Sequence, residues 1–415
     1  MGFLISNELK KLISRKRFTV TLIMICILGA LNIFGTYKNT KKDNIQSKIA
    51  RAENNVEYYN QQKKTAEENK DKDGINHYKI QMKAAKSELD SFKKYADKST
   101  SWKEKLETDI ASSEELKRAP MISSSDTEIE NQNKNILIKQ YYLNNNIEYD
   151  YMKTNQIFKV FPIFFNGAGR LLLFVVIGLL ASDIVSGENN SATIKMLLTK
   201  PISRGKILFS KFITAIITAN VMVIVTETIG FVVIGLLAGF GSPNTPIAVG
   251  TIYKMDLGLI GNNGKSISAI LGSSYILPAW KVIISIIVLQ VLTISACIAF
   301  SFLISTLIKN SDVSTGVCII TVFLTMVIAI NVMAFAIPGA PTMTNKILPF
   351  IFASYYDVSS IFACYYDVSF VLQGDMAERI INPIVNLHFA QFISLVWIIG
   401  CYSISHIVFV RKDVL

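Results

Sequence analysis

The sequence predicts an all-α membrane protein with six transmembrane helices and a helical insertion between the first and the second. Of the 415 residues, 51% are hydrophobic, and they are concentrated in stretches of about 20, the length that crosses a hydrocarbon core roughly 30 Å thick. A long, highly charged stretch separates the first of these from the others. The predicted spans are 18–37, 160–182, 212–240, 281–307, 316–338 and 389–410.

Residues 1–17 precede the first span, and their pattern predicts an amphipathic helix at the membrane interface. The apolar residues repeat at helical spacing while the basic residues fall on other faces, which suits a helix lying flat on the anionic inner leaflet. The alternative is a cytoplasmic tail whose charges only orient the chain. The apolar positions are Phe3, Ile5, Leu9, Leu12 and Ile13, and the basic ones are Lys10, Lys11, Arg15 and Lys16.

The distribution of basic residues also predicts the orientation, because short connections rich in Lys and Arg stay in the cytoplasm. Such residues are dense before the first span and between the second and the third, and they follow the fourth and the sixth. The other short connections carry fewer. We therefore expect a multi-pass protein of the cell membrane with both termini in the cytoplasm and residues 38–159 outside the cell.

Residues 38–159 have the composition of a solvated helical domain. They contain 23 Lys and Arg against 20 Asp and Glu, and no Cys, so disulfides do not hold the domain together. Heptad-like apolar runs at 45–59 and 75–96 predict an antiparallel helical hairpin. Such a charged pair of helices serves as a spacer or docking surface more often than as a ligand pocket. The near balance of charge also argues against nucleic acid as a partner.

The connection between the third and fourth spans contains LGLIGNNGKSIS (257–268), whose ending Gly264-Lys265-Ser266 is typical of a phosphate-binding loop. The earlier glycine that such a loop requires would fall at Leu259. No strand pattern precedes the stretch, so the sequence favours a Gly/Asn turn. We expect no cofactor in this chain, and ATP and Mg would be bound by a partner. The scattered His and the five Cys predict no metal site.

A tandem repeat marks the outer segment 339–388, which is predicted to be re-entrant. The motif ASYYDVS at 353–359 recurs as ACYYDVS at 363–369. Tyrosine favours the membrane boundary, where its ring is buried and its hydroxyl is wet. The repeat is therefore either an interfacial anchor or the lining of an outer vestibule. The vestibule candidates are Tyr355, Tyr356, Asp357, Tyr365, Tyr366 and Asp367.

Two charged residues fall inside predicted spans, Arg170 in the second and Glu227 in the third. A charge in the membrane is costly and normally finds a partner or a wet cavity. Since both lie near mid-depth in neighbouring antiparallel spans, they could form an ion pair that fixes packing. The alternative is that they line a wet transport route.

The cytoplasmic connection between the second and third spans predicts a short amphipathic helix near 191–200. Ser191 or Thr193 can cap its first turn, and Pro201 ends it because the proline ring cannot continue the hydrogen-bond ladder. Its apolar face is formed by Ile194, Leu197 and Leu198. A helix held under the membrane between two spans is suited to being pushed by a partner.

At this stretch the sequence resembles the permease subunits of type-2 ABC transporters. The resemblance covers six spans, the interface helix and the outer re-entrant segment. It departs from the family pattern at Ala192, where glycine is usual, and the 38–159 insertion lies outside the minimal plan. The matching residues are Glu188, Thr193, Leu197, Leu198, Pro201, Ser203, Arg204 and Lys211.

The resemblance implies a membrane subunit of an ATP-driven exporter, itself without catalytic residues, which moves cargo such as an antimicrobial peptide, a lipid or a drug. It implies that 191–200 is a coupling helix, with Glu188 beside it at the inner boundary. Two copies of a separate ABC ATPase would bind below a homodimer or a heterodimer in the bilayer. Two alternatives remain, a sensor or scaffold that binds a ligand through 38–159, and a secondary transporter. The latter usually shows repeated spans, and none is evident.

Overall fold

The computed structural model describes residues 1–42, 45–68, 72–97, 101–118, 125–149, 157–160, 168–190, 202–256, 267–334, 346–355 and 369–411. In chain order the described helices before the first strand are α1 (Gly2–Ile13), α2 (Lys16–Lys42), α3 (Ile45–Glu68), α4 (Lys72–Ala96), α5 (Trp102–Arg118), α6 (Asp126–Asn144), α7 (Ile157–Val160), α8 (Ala168–Ala181), α9 (Ser186–Asn190) and α10 (Arg204–Ala238). The strands β1 (Pro246–Val249), β2 (Tyr253–Met255), β3 (Ile267–Ala269) and β4 (Tyr275–Pro278) follow. The chain then continues through α11 (Ala279–Leu307), α12 (Ser311–Ala334), two 3-10 turns (Leu348–Phe350 and Phe352–Tyr355), α13 (Ser369–Gln373), α14 (Asp375–Ile380) and α15 (Leu387–Arg411). The predicted all-α membrane fold is confirmed, with almost no sheet.

Among the described residues, four helices are long and apolar enough to cross a membrane, namely α10, α11, α15 and the first 20 residues of α2. They coincide with the first, third, fourth and sixth predicted spans. The second and fifth correspond to α8 and α12. Within the described residues α8 has 14 residues, and the apolar part of α12 runs only from Ser311 to Val327. The count of six spans therefore stays a prediction.

Helix α11 lies at the centre of the apolar bundle, where it packs against α8, α10, α12 and α15. Helix α2 packs on the outside against α8 and α10. At the α2–α10 crossing a Cβ on Gly29 would lie 2.5 Å from Cγ2 of Thr226. Glycine is thus required there, because a small residue lets two helix backbones approach closely.

The helices of the insertion pair as antiparallel neighbours. Lys93 near the end of α4 lies 3.0 Å from Glu53 near the start of α3, and α3 packs along α4. The seam includes the buried Ala52 and Ala85. Helix α6 begins with a capping box in which Ser125 and Glu128 each accept a hydrogen bond from the other's backbone amide, an arrangement that stabilises the first turn.

The connection from α10 to α11 differs from the sequence prediction, because strands flank the stretch expected to have none. Strands β1 and β4 pair antiparallel, as do β2 and β3. Each has three or four residues, too few to show an alternating pattern. Long-range contacts support them: the amides of Gly250 and Thr251 donate to the carbonyls of Leu372 and Gln373, at 2.8 and 3.0 Å. Residues 257–266 lie outside the described ranges.

Gly374 makes this contact with α13 possible. Its φ of +91° is strained for other residues, and a Cβ there would lie 2.0 Å from the carbonyl oxygen of Thr251. Helix α6 of the insertion packs against β1, β3 and β4. The strands and this part of the insertion therefore lie at one end of the bundle, here called the insertion face. The opposite end, which carries α1, is called the N-terminal face.

Candidate functional site

A cluster of charged side chains joins five elements at the N-terminal face. It lies where α1, the start of α2, the α8–α9 junction, the start of α10 and the start of α12 meet. The cations are Lys11, Arg15, Arg17 and Lys211, and the anions are Glu8, Asp183, Glu188 and Asp312. We call these eight residues the N-terminal cluster.

Glu188 is the centre of the N-terminal cluster. It is 2% exposed, and its Oε1 atom accepts from three cations. These are the Lys11 ammonium, Nη2 of Arg15 at 3.1 Å and Nζ of Lys211 at 3.1 Å. A carboxylate this buried is stable only when it is paired. Helix α9 is therefore fixed both to α1 and to α10.

Lys211 closes the triangle between these three helices. Its side chain is only 3% exposed, and Nζ lies 2.7 Å from Oε2 of Glu8 on α1 as well as 3.1 Å from Glu188. A Lys with so little contact with water would be costly without such partners. Two carboxylates from two separate elements thus hold the first turns of α10 in place.

The two arginines extend the cluster to α12. Arg15 lies 3.5 Å from Asp183, and Nε of Arg17 lies 3.4 Å from the other oxygen of the same carboxylate. Arg17 also lies 3.7 Å from the exposed Asp312 and donates to the hydroxyl of Ser311 at 3.3 Å. The start of α2 is thereby bound to both the α8–α9 junction and α12.

The α8–α9 junction is a helix break whose free backbone groups are satisfied by a neighbouring helix. The amides of Val185 and Ser186 both donate to Oγ of Ser305 on α11, each at 3.1 Å. Ser314 on α12 donates to the carbonyl of Ser182 at 2.6 Å. Buried backbone groups that such a break frees require partners of this kind. Residues 182–185 therefore form a non-helical joint that neighbouring helices hold in place, and α9 with Glu188 follows directly.

The predicted coupling residues lie beside this cluster in the chain. Thr193, Ile194, Leu197, Leu198 and Pro201 are outside the described residues. Glu188 comes just before that segment, and Lys211 follows it in the second turn of α10. Both ends of the segment therefore join elements that the N-terminal cluster connects. Arg204, at the start of α10, donates to the carbonyl of Val410 at 3.5 Å, which links α10 to the end of α15.

Glu227 is placed inside the bundle, where it is 6% exposed. Its Oε1 accepts from Nε2 of Gln290 on α11 at 2.7 Å. Two turns away, Asn220 donates to Ser295 at 3.3 Å, so the α10–α11 seam carries polar pairs. The side chain of Arg170 lies outside the described residues, and its pairing with Glu227 stays a prediction.

Of the vestibule candidates, the structure describes Tyr355. It is 1% exposed, and its hydroxyl donates to the carbonyl of Pro349, so it forms part of the bundle core. The other five candidates, Tyr356, Asp357, Tyr365, Tyr366 and Asp367, lie outside the described residues.

Sequence reasoning treated several cluster residues only as orienting charges. Glu8, Lys11 and Arg15 are spaced by three and four, which places them on one face of a helix. One acidic and two basic residues on the same face were the available signal for an ion network. Nothing in the sequence pointed to Gln290 as the partner of Glu227, because a lone Gln in an apolar stretch does not specify what it faces.

The apolar helices define a multi-pass membrane protein. At one end of their bundle, a helix break and a charge network lie beside the segment 191–200 in the chain. The chain matches the model of the ABC-2 family transporter proteins over residues 3–414, and it belongs to that family. It is thus a permease, the membrane subunit of an ABC transporter. Membership in this family implies association with an ABC ATPase. A search of curated proteins finds no match.

Proposed function

We propose that this chain is the membrane subunit of an ATP-driven exporter and that the segment 191–200 docks on a separate ATPase, which binds ATP and Mg. In this proposal two ATPase subunits act on two permeases, either two copies of this chain or this chain with a similar one. Both termini are cytoplasmic, and 38–159 is extracellular. The observation that carries the proposal is the N-terminal cluster, which joins the helices on both sides of that segment.

The cluster supports a defined route for mechanical force. A displacement of 191–200 acts on Glu188 at one end and on α10 at the other. Because Glu188 and Lys211 are ion-paired at 3.1 Å, the two ends move together. Glu8, Lys11 and Arg15 carry the same displacement to α1. We infer that α1, α9 and the start of α10 move as one body when the ATPase changes state.

The cargo class is proposed from the insertion. A charged helical domain of this size on the outer side favours cargo that is bulky or acts at the outer surface, such as an antimicrobial peptide, over a small ion. Lipids and drugs are the other cargo classes that fit this family. Proteoliposomes containing the permease and its ATPase can be tested with one representative of each class. Transport of the peptide but not of the others is the expected outcome.

The docking proposal is tested by changing the apolar face of the segment. Leu197→Asp together with Leu198→Asp should abolish ATPase binding and transport, because two buried carboxylates would oppose docking. Lys309→Asp, an exposed change on the same face between α11 and α12, is the matched control for added negative charge. Co-purification of the ATPase with the permease is the measurement. Retained binding in the double variant would refute docking at this segment.

Orientation is tested separately with a thiol reagent that does not cross membranes. In a background without native cysteines, a Cys at Lys86 on α4 should react in intact cells. A Cys at Lys309 should react only after lysis. Both positions are exposed, so a reversed pattern would invert the proposed topology.

A further inference from the structure

Helix α6 holds the turn between β3 and β4 with side chains from one of its faces. The hydroxyl oxygen of Thr127 accepts from the amide of Ala269 at 3.2 Å. The carboxylate of Glu130 accepts from the amides of Gly272 and Ser274, at 2.7 and 3.0 Å. Two side chains from the insertion thus bind backbone groups of a distant part of the chain, more than 130 residues later.

Glu130 is suited to hold this turn as a charged group. Its side chain is 0% exposed. Burial raises the pKa of the carboxyl group, but hydrogen bonds from Ser274, Asn133 and the amide of Gly272 outweigh it, and the net effect lowers the pKa. The group is therefore ionised at neutral pH. Hydrogen bonds to a carboxylate are about twice as strong as those between neutral groups.

The next turn of α6 extends the contact to α14. Lys134 lies 3.2 Å from Oδ1 of Asp375, and this pair is mostly buried. The Tyr253 hydroxyl on β2 lies 3.4 Å from the same oxygen. Thr127, Glu130 and Lys134 are spaced by three and four and share one face. We call these three residues the α6 clamp.

The clamp lies directly before the central helix of the bundle. Strand β4 follows the clamped turn, and Pro278 at its end is the N-cap of α11. The amide of Ala279 donates to the carbonyl of Thr245 at 2.8 Å, so no free loop separates the turn from the helix. A shift of α6 must move this end of α11 or break the clamp.

On its other side α6 is joined to the rest of the insertion. Lys139 of α6 donates to the hydroxyl of Ser113 on α5 at 3.2 Å and lies 4.0 Å from Asp109. Leu106 of α5 is fully buried, and α5 packs along α6. The contacts therefore run without interruption from α5 through α6 to α11.

We propose that the α6 clamp mechanically links the insertion to the transmembrane bundle, with Glu130 as the residue that transmits the position of α6 to the end of α11. A molecule that binds the insertion would then alter the bundle, and a movement of α11 would alter the insertion. In the exporter proposed above, this link would let the insertion regulate transport, and that consequence rests on the proposed function. The mechanical link itself does not depend on the proposed function.

A double-mutant cycle in the full chain tests the link without ATP or cargo. Hydrogen exchange is measured in lipid nanodiscs on a peptide covering residues 275–283. Leu106→Ala truncates a fully buried side chain of α5, the helix that packs along α6, and should therefore accelerate exchange in this peptide, although Leu106 lies outside the bundle. Glu130→Gln removes the charge and one acceptor oxygen. It should accelerate exchange in the peptide about tenfold or more, because a hydrogen bond to a charged group is lost. Leu106→Ala should then have no further effect in the Glu130→Gln background.

Glu128→Gln is the matched control, since it makes the same chemical change on the same helix at an exposed position, and Gln also serves in a capping box. In that background Leu106→Ala should keep its full effect on the peptide. Should Leu106→Ala leave residues 275–283 unchanged in the otherwise native chain, or act equally with and without Glu130, the link is overturned. Exchange in α15 reports whether any variant has unfolded the bundle as a whole.

Discussion

Replacing Lys211 tests whether the buried ion pairs of the N-terminal cluster contribute more to stability than the exposed ones. Lys211→Met nearly keeps the length of the side chain and removes the charge. Glu8 and Glu188 then lose the ammonium group, which lies 2.7 Å from Glu8 and 3.1 Å from Glu188. Removing one partner of a buried ion pair costs about 3–5 kcal/mol. Lys11 and Arg15 still neutralise Glu188, so we expect the lower end, about 3 kcal/mol.

Lys11→Met provides the comparison, because it removes a cation from the same carboxylate. The Lys11 side chain is 38% exposed, and pairs that water can screen contribute only about 0–1 kcal/mol. The two variants should therefore differ by about 2 kcal/mol or more in the free energy of unfolding. Combining Lys211→Met with Glu188→Gln should recover part of the loss, since Glu188 is then no longer a buried charge that lacks the Lys211 ammonium. The recovery is incomplete because Glu8 still loses its partner at 2.7 Å.

The native cysteines supply the assay. Cys297, Cys318 and Cys401 are buried and free, so a thiol-reactive dye reports unfolding in detergent as they become accessible. Cys26 is exposed and Cys364 lies outside the described residues, so both are replaced by Ser in every variant. If Lys211→Met and Lys11→Met lower the unfolding transition equally, burial does not set the strength of these pairs, and the proposed rigid joint loses its physical basis.

Three further predictions concern other parts of the chain. Gln290→Leu should destabilise the fold by about 1–2 kcal/mol by leaving Glu227 short of a donor, and adding Glu227→Leu should restore the same dye transition. Gly374→Ala should lower the yield of folded protein sharply, because a Cβ 2.0 Å from the Thr251 carbonyl cannot be accommodated, and size-exclusion chromatography measures this. Residues 38–159 expressed alone should be soluble and largely helical by circular dichroism, and a random-coil spectrum would contradict the predicted helical domain.

The sequence was sufficient for those features that follow from local chemistry. Four of the predicted spans coincide with apolar helices because the bilayer thickness constrains length and composition together. The capping box at Ser125 and Glu128 has the residue types and spacing that mark a helix start, although no helix start was predicted there. Glu188 was singled out by its place in a family motif, and the structure shows that it is buried among three cations.

The features that the sequence could not supply are pairings between distant segments. Glu128 and Glu130 stand two residues apart in the same polar stretch, yet one is exposed and the other has no contact with solvent. Their difference arises only when the turn at Gly272 packs against α6. The strands from β1 to β4 were missed for the same reason, since the connection between β1 and β2 is held by hydrogen bonds to Leu372 and Gln373, which depend on tertiary contact rather than on local propensity.

Helix α11 connects the two networks physically. Near one end Ser305 accepts two amides from the helix break beside Glu188, and at the other end Ala279 follows the strand held by the α6 clamp. The 26 helical steps between these residues span about 39 Å at 1.5 Å per residue. A packed helix transmits a displacement along its axis with little loss, because interiors are dense and poorly compressible. A change at the N-terminal face should therefore reach the insertion through this helix. Ser305→Ala should weaken that transmission while leaving the α6 clamp intact. Hydrogen exchange at residues 269–274 measures this, and faster exchange there in Ser305→Ala alone would show that the clamp had been disturbed.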